Sequence, residues 1–315
     1  MKHSSDLHSE YTKLNQSFKN KIVYRFGDSA GFYSELNNMI FSMLFCLRNS
    51  IRFEINSKEN IFSKKGWSDF FTAFCANNTQ SWHLRFNHRH VTSRPQSIKS
   101  FVGNCYYQFL CYINEVDYLT SDIFHQARNQ KVSEEINLPG LFNNLSFLEC
   151  CSLMIDMVYQ FNDETESEIH HFGNNTLLDK PFVGFHIRRG DKKKEAKYTP
   201  LSRYIELAEE RTEIRTAFVA TDDYSVFEEL RDKYKDWMFF TYEENISNGY
   251  EQEDFNFLDY NTKREQLIRL FASVEVLSLS KILFCSYSSN VGMFLKMRRK
   301  HLPTVGVDYN EFIIW

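Results

Sequence analysis

Proline is scarce in these 315 residues, with five, at positions 95, 139, 181, 200 and 303, and no proline-rich linker or low-complexity run appears. Cysteine is sparse and odd in number, with seven (Cys46, Cys75, Cys105, Cys111, Cys150, Cys151 and Cys285), and no C-x-x-C or His/Cys pair has zinc spacing. Zinc ribbons and disulfide-stapled scaffolds are thereby set aside, and the thiols are expected to be reduced and buried in a cytosolic protein. The run Met39 to Leu47 falls short of the ~20 apolar residues of a bilayer span and reads as a buried helix. Met1-Lys-His-Ser-Ser-Asp6 has no apolar signal-peptide core, so a cytoplasmic location without a transmembrane segment is expected. Excess charge of one sign is also missing. Lys plus Arg number 37 against 41 Asp plus Glu, a net charge of −4, which gives no global basic footprint for nucleic acid. No Gly-x-Gly-x-x-Gly follows a strand, and no P-loop, His-Glu-x-x-His or Gly-x-Ser-x-Gly is present. Dinucleotide dehydrogenases, P-loop enzymes, zincins and elbow hydrolases lose their usual signatures.

What is present is an ordinary globular composition, 43% apolar and 25% charged, in a chain long enough for two domains. Thirty Phe and 17 Tyr point to a Phe-packed core. The C-terminal half alternates short apolar runs with amphipathic stretches. Strands are expected at 182–187, 216–221, 237–242 and 281–287. Helices are expected from a capping Thr199 onward, at 224–234, as one long segment over 256–278, and at 288–299. The N-terminal half opens with strand 21–25, helix 31–47 and strand 50–55, and residues 70–150 read as mainly helical and irregular. A polar Gly173-Asn-Asn-Thr176 suggests a hinge, dividing the chain into 1–175 and 176–315. Fully apolar strands between helices mean parallel sheets covered on both faces, hence an α/β protein of two facing halves. Ligands bind such sheets at the carboxyl ends of the strands.

Three segments fall on that edge of the C-terminal sheet. His186-Ile-Arg-Arg-Gly-Asp-Lys192 follows the first strand. Adjacent Arg188 and Arg189 suit a doubly charged anion, because guanidinium is a rigid, permanently charged fork matching phosphate oxygens. His186 lies on the strand itself, where a lone histidine is more often a satisfied core residue. Asp222 and Asp223 follow the second strand and suit hydrogen bonds to a ribose, base or Arg, a metal pair, or simply a helix cap at Asp223. Ser286-Tyr-Ser-Ser-Asn290 opens a helix after the last strand, and Ser288, Ser289 and Asn290 form either an anion site or an ordinary cap. His88-Arg-His90 reads as a surface turn.

These residues resemble the donor motifs of the α1,6-fucosyltransferases. His186-x-Arg-Arg with Asp191 and Lys192, then Glu195-Ala-x-Tyr-x-Pro200, resembles their first block, Ala220-Thr-Asp-Asp223 the second and Phe284 to Asn290 the third. Gly31-Phe-Tyr-Ser-Glu-Leu36, Gly66-Trp67 and Asp308-Tyr-Asn-Glu-Phe312 are similar to further family segments. The resemblance implies a two-domain GT-B variant with a Rossmann-like donor domain. It also implies GDP-β-L-fucose as donor, a glycan acceptor, inversion, and no metal. It assigns Arg188 to the β-phosphate with Ser289 assisting, and Lys192 a place beside the base Glu195. On the same resemblance His186, Arg189, Asp222, Asp223, Ser288, Asn290 and Gly31 are expected to line the donor site. The sequence departs from the family pattern in three places: the Lys192–Glu195 spacing is one residue short, Ser273 (with Glu275 nearby) stands where a guanine-contacting Asp is expected, and Tyr33 replaces a turn glycine. The short spacing leaves Asp191 or a residue of the N-terminal domain as rival bases to Glu195, and alternative readings of the whole chain are an α1,2-fucosyltransferase, another GDP-sugar transferase, or a non-catalytic sugar-nucleotide or glycan-binding relative.

Overall fold

A computed structural model describes residues 4–90, 98–138, 140–172, 180–189, 198–242 and 252–314. The chain divides into two compact units, Met1–Gln160 and Phe161–Trp315. The expected hinge at Gly173–Thr176 lies outside the described residues.

The first unit runs α1 (Ser4–Ser17), β1 (Asn20–Arg25), α2 (Phe32–Arg48), β2 (Ile51–Asn56), a 3-10 turn (Gly66–Asp69), α3 (His83–Phe86), α4 (Ile98–Ile113), β3 (Tyr118–Leu119), α5 (Thr120–Arg128), β4 (Glu135–Leu138), β5 (Phe142–Ser146) and α6 (Phe147–Val158). Strands β2-β1-β3 form a parallel sheet in that order, and β4-β5 an antiparallel pair. Helix α2 is buried almost all round, as its apolar Met39–Leu47 run requires of a helix lacking a polar face. Its neighbours are β2, α5 and α6. Much of the core is aromatic. Trp67 stacks on Phe71 at 4.5 Å and meets Phe26 edge-on at 5.3 Å. Gly66 precedes it at φ 82°, a left-handed conformation that a side chain would strain. Gly-Trp is thus a packing device here. Residues 70–150 are less helical than their sequence suggests: the β4-β5 pair is built from short segments such as Phe142-Asn-Asn-Leu-Ser146, in which polar residues break any apolar alternation.

The second unit runs α7 (Asp163–Phe172), β6 (Val183–Ile187), α8 (Leu201–Glu209), β7 (Thr216–Thr221), α9 (Tyr224–Lys233), β8 (Met238–Phe240), α10 (Gln252–Phe257), α11 (Tyr260–Leu279), β9 (Leu283–Cys285), α12 (Asn290–Arg298) and β10 (Thr304–Gly306). Its five strands are all parallel, in the order β10-β9-β6-β7-β8. Phe185, Leu230 and Phe284 are fully buried around this sheet. The chain moves outward from β6 to β8, then returns to the other side of β6 at β9. The strand order therefore reverses between β6 and β9, which is where an open α/β sheet leaves its ligand crevice.

Three expectations are corrected. The long helix over 256–278 is two helices, because Asp259 caps α11 by accepting from the N–H groups of Asn261 (2.9 Å) and Thr262 (3.1 Å). Pro200, not Thr199, is the N-cap of α8. Cys46, Cys150, Cys151 and Cys285 are buried, but Cys105 is exposed on α4. Among the described residues no helix is long and apolar enough to cross a membrane.

Candidate active site

Register decides what meets at the edge of the second sheet. Ile187 of β6 pairs with Thr221 of β7, so the next residue of each strand, Arg188 and Asp222, are neighbours. Arg188 Nη1 donates to Asp222 Oδ2 at 2.5 Å, and the Arg189 backbone N–H donates to Asp222 Oδ1 at 2.7 Å. One carboxylate thus ties down both a guanidinium and the backbone that follows it. Arg188 remains 21% exposed, so its charge faces outward from a fixed position. Asp222 is engaged as counter-ion to Arg188. Arg189 lies over the Tyr198 ring at 4.6 Å and donates to the Thr199 carbonyl at 3.2 Å. A cleft of about 500 Å³ opens beside it, lined by Arg189, Tyr198, Pro200, Asp223 and Glu229 among others.

Asp223 caps α9, accepting from the Ser225 N–H at 3.0 Å and hydroxyl at 2.6 Å. That is the capping role among the three open for it. His186 is buried in β6 between β7 and β9. Burial, and secondarily Arg188, push its imidazole down to about 3, so the ring is neutral. Its Nδ1 has no hydrogen-bond partner among the described residues, and Tyr204 donates to its carbonyl at 3.2 Å.

On the other side of β6, β9 ends in the turn that starts α12. Asp308, just past β10, accepts from the N–H groups of Tyr287 (2.8 Å) and Ser288 (3.1 Å) and from the Ser288 hydroxyl (2.7 Å). Ser289 is the buried N-cap of α12, without a side-chain cap bond, and Asn290 is the first helical residue. Gly292 lets the helix sit against the strand end, since a Cβ there would run into the Ser286 carbonyl. The positive end of α12 is therefore held beside β6, at the switch point of the sheet. Asp308 was missed as a positioning residue because it is 20 positions from Ser288 in sequence; only the β9-β10 register, Cys285 beside Gly306, makes them neighbours.

Glu195, Lys192, Asp191 and Gly190 lie outside the described residues. Gly31 belongs to the first unit, where it caps α2 and its carbonyl accepts from the N–H groups of Ser34 (2.9 Å) and Glu35 (3.1 Å). Ser273 is fully buried in α11. Glu275 pairs with Arg298 of α12 through two hydrogen bonds, at 2.5 and 2.9 Å, a structural tie between the two helices.

The family model for alpha-(1,6)-fucosyltransferase N- and catalytic domains matches residues 17–295. No curated protein matches the sequence. Among solved structures, the fucosyltransferase NodZ from Bradyrhizobium is similar at 12% identity, over 93% of this chain and 97% of that one, with a TM-score of 0.53. NodZ alpha-1,6-fucosyltransferase soaked with GDP-fucose gives 11%, 91%, 94% and 0.50, and POFUT1 in complex with GDP gives 11%, 91%, 98% and 0.50. At these identities the likeness speaks to the fold, which is that of the GT-B-type fucosyltransferases.

Proposed function

The chain belongs to the alpha-(1,6)-fucosyltransferase family, and on that premise we propose that it transfers L-fucose, with inversion and without a metal, from GDP-β-L-fucose to O6 of an N-acetylglucosamine residue in a glycan. The observation that carries the donor reading is Arg188, tethered by Asp222 at the switch point of a five-stranded parallel sheet with the α12 N-terminus across from it. That a NodZ enzyme was soaked with GDP-fucose and POFUT1 holds GDP supports the same donor.

The chemistry follows from charge. As the bond from fucose C1 to the β-phosphate oxygen breaks, its electron pair leaves with GDP. The sugar gains positive character and the diphosphate gains negative charge. A guanidinium and helix N–H groups already fixed in place stabilise that charge more in the transition state than before it. The acceptor oxygen forms the new bond to C1 and must lose its proton as it does so. Glu195 is the proposed base, with Lys192 beside it. His186, Ser288, Ser289, Asn290, Arg189 and Asp223 complete the proposed donor site.

The test is to incubate the protein with GDP-fucose and chito-oligosaccharides, with and without excess EDTA, and to determine product mass and linkage. One added deoxyhexose at O6, insensitive to EDTA, is expected, and Glu195→Gln should abolish it while GDP binding survives. A product linked at O2, or full loss in EDTA restored by manganese, overturns the corresponding part. An active Glu195→Gln enzyme, set beside Asp191→Asn, removes Glu195 as the base.

A further inference from the structure

The first unit holds a cluster of arginines and histidines that the donor reading leaves without a role. Arg89 bridges the packed helices α2 and α5, at Ser34 and Phe124. The Arg89 guanidinium sits over the Phe124 ring at 4.8 Å, donates to Ser34 Oγ at 3.1 Å and lies 3.5 Å from Glu35. Arg128, in the last turn of α5, approaches the same ring at 5.6 Å and donates to Asn38 Oδ1 at 3.0 Å. His90 meets Phe124 edge-on at 5.0 Å and lies 6.4 Å from His125. Both histidines are exposed, so the cluster opens to solvent.

The nearby carboxylates are already engaged. Glu35 accepts from the N–H groups of Gly27 and Ala30, each at 3.2 Å. Asp28 takes His88 Nδ1 at 2.9 Å and the Arg89 N–H at 3.2 Å. Arg128 therefore has no carboxylate within salt-bridge reach among the described residues. Arg89 is 8% exposed, yet its Nε is buried without a hydrogen-bond partner among them. Arg128, partly buried and without a counter-ion, has one side-chain hydrogen bond and the Phe124 ring face to set against its desolvation cost. Burial, and then Arg89, lower the pKa of Arg128, as crowded like charges must. Two guanidinium groups and two imidazoles around one ring, with donors to spare, suit an anion brought from outside.

We propose that this cluster is an anion subsite that takes a carboxylate or phosphate group carried by the glycan acceptor, so that the preferred acceptor is acidic. Calling the ligand an acceptor rests on the fucosyltransferase reading; the anion subsite itself does not. The diphosphate of the donor is the other anion present in the reaction, and the test separates the two.

The whole chain, saturated with GDP to fill the donor site, is titrated with glucuronate in a calorimeter. Binding is expected, weakened about tenfold or more in Arg128→Gln, the size of one charge-assisted hydrogen bond. His125→Gln, an exposed change that spares the fold, should weaken it in the same direction by less. In transfer assays, the ratio of kcat/KM for a glucuronate-bearing over a neutral chito-oligosaccharide should exceed one and fall about tenfold in Arg128→Gln. No glucuronate binding, or an unchanged ratio, overturns the proposal. A raised KM for GDP-fucose with the ratio intact assigns the cations to the donor and also overturns it. Absence of transfer to every acceptor defeats the fucosyltransferase reading, while the calorimetric arm still decides the subsite.

Discussion

Each unit has an arginine at the end of its first strand, Arg25 closing β1 and Arg188 just past β6. Arg25 is 5% exposed and donates to the Asn56 side chain at 2.7 Å and to the carbonyls of Lys58 (2.8 Å) and Glu59 (3.0 Å). Neutral oxygens of its own unit surround it, and it stitches β1 to the loop after β2. Arg188 is held by the Asp222 carboxylate, on which the next backbone N–H also converges, and it stays partly open to solvent. The same residue type at the same topological position is a brace in one unit and a candidate anion-binding group in the other. An arginine at a strand end is thus informative only through what it binds.

The comparison breaks most visibly at Arg25. Arg25→Met removes three hydrogen bonds from a charged donor and leaves buried acceptors unpaired, so a loss of about 3 kcal/mol or more is expected in denaturant unfolding. A stability change below about 1 kcal/mol would mean that Arg25 is no brace.

Arg188→Lys should do the reverse. An ammonium cannot reproduce a planar two-point contact, so kcat for fucose transfer should fall about 100-fold with little change in the unfolding midpoint. Near-native turnover would remove Arg188 from the donor site.

Asp222→Asn keeps the shape but removes the charge that orients Arg188. A smaller loss, about tenfold, is expected, mostly in kcat, and excess salt should not restore it. A pure KM effect would make Asp222 a ligand contact and not a positioning residue.

The smallest effect compares two buried histidines. His83 in the first unit and His186 in the second are both pushed down to about 3, in each case chiefly by burial. Unfolded histidine takes up a proton near pH 6.5, so the unfolded chain binds protons that the folded chain refuses. Stability should therefore fall as pH drops below about 6.5, by about 1 kcal/mol per histidine at pH 5.5. His83→Gln should remove part of that slope, read as the unfolding midpoint at pH 7.5 and 5.5. An unchanged slope would place the titrating groups elsewhere.

Much of the second unit is legible in the sequence, because its strands are fully buried and read as unbroken apolar runs such as Phe182–Ile187. The stretch 70–150 is not. Its two-residue strand Tyr118–Leu119 is too short to show a period, and residues such as Asn143 and Asn144 interrupt β5. The break before α11 is hidden because Phe255 and Phe257 continue an apolar pattern across a helix end that Asp259 alone creates.

The sequence by itself determined which residues are chemically able to act: two adjacent arginines after an apolar strand, two aspartates after the next, and a serine-rich turn before a helix. Only the tertiary structure decided how they are used. Pairing of Ile187 with Thr221 puts Asp222 against Arg188 and leaves Asp223 to cap α9. Pairing of Cys285 with Gly306 brings Asp308 to the turn that holds Ser288. The reason is physical. Side-chain type is carried by the residue itself, but a carboxylate acts as counter-ion, cap or ligand according to which donor lies within about 3 Å, and strand register sets that distance.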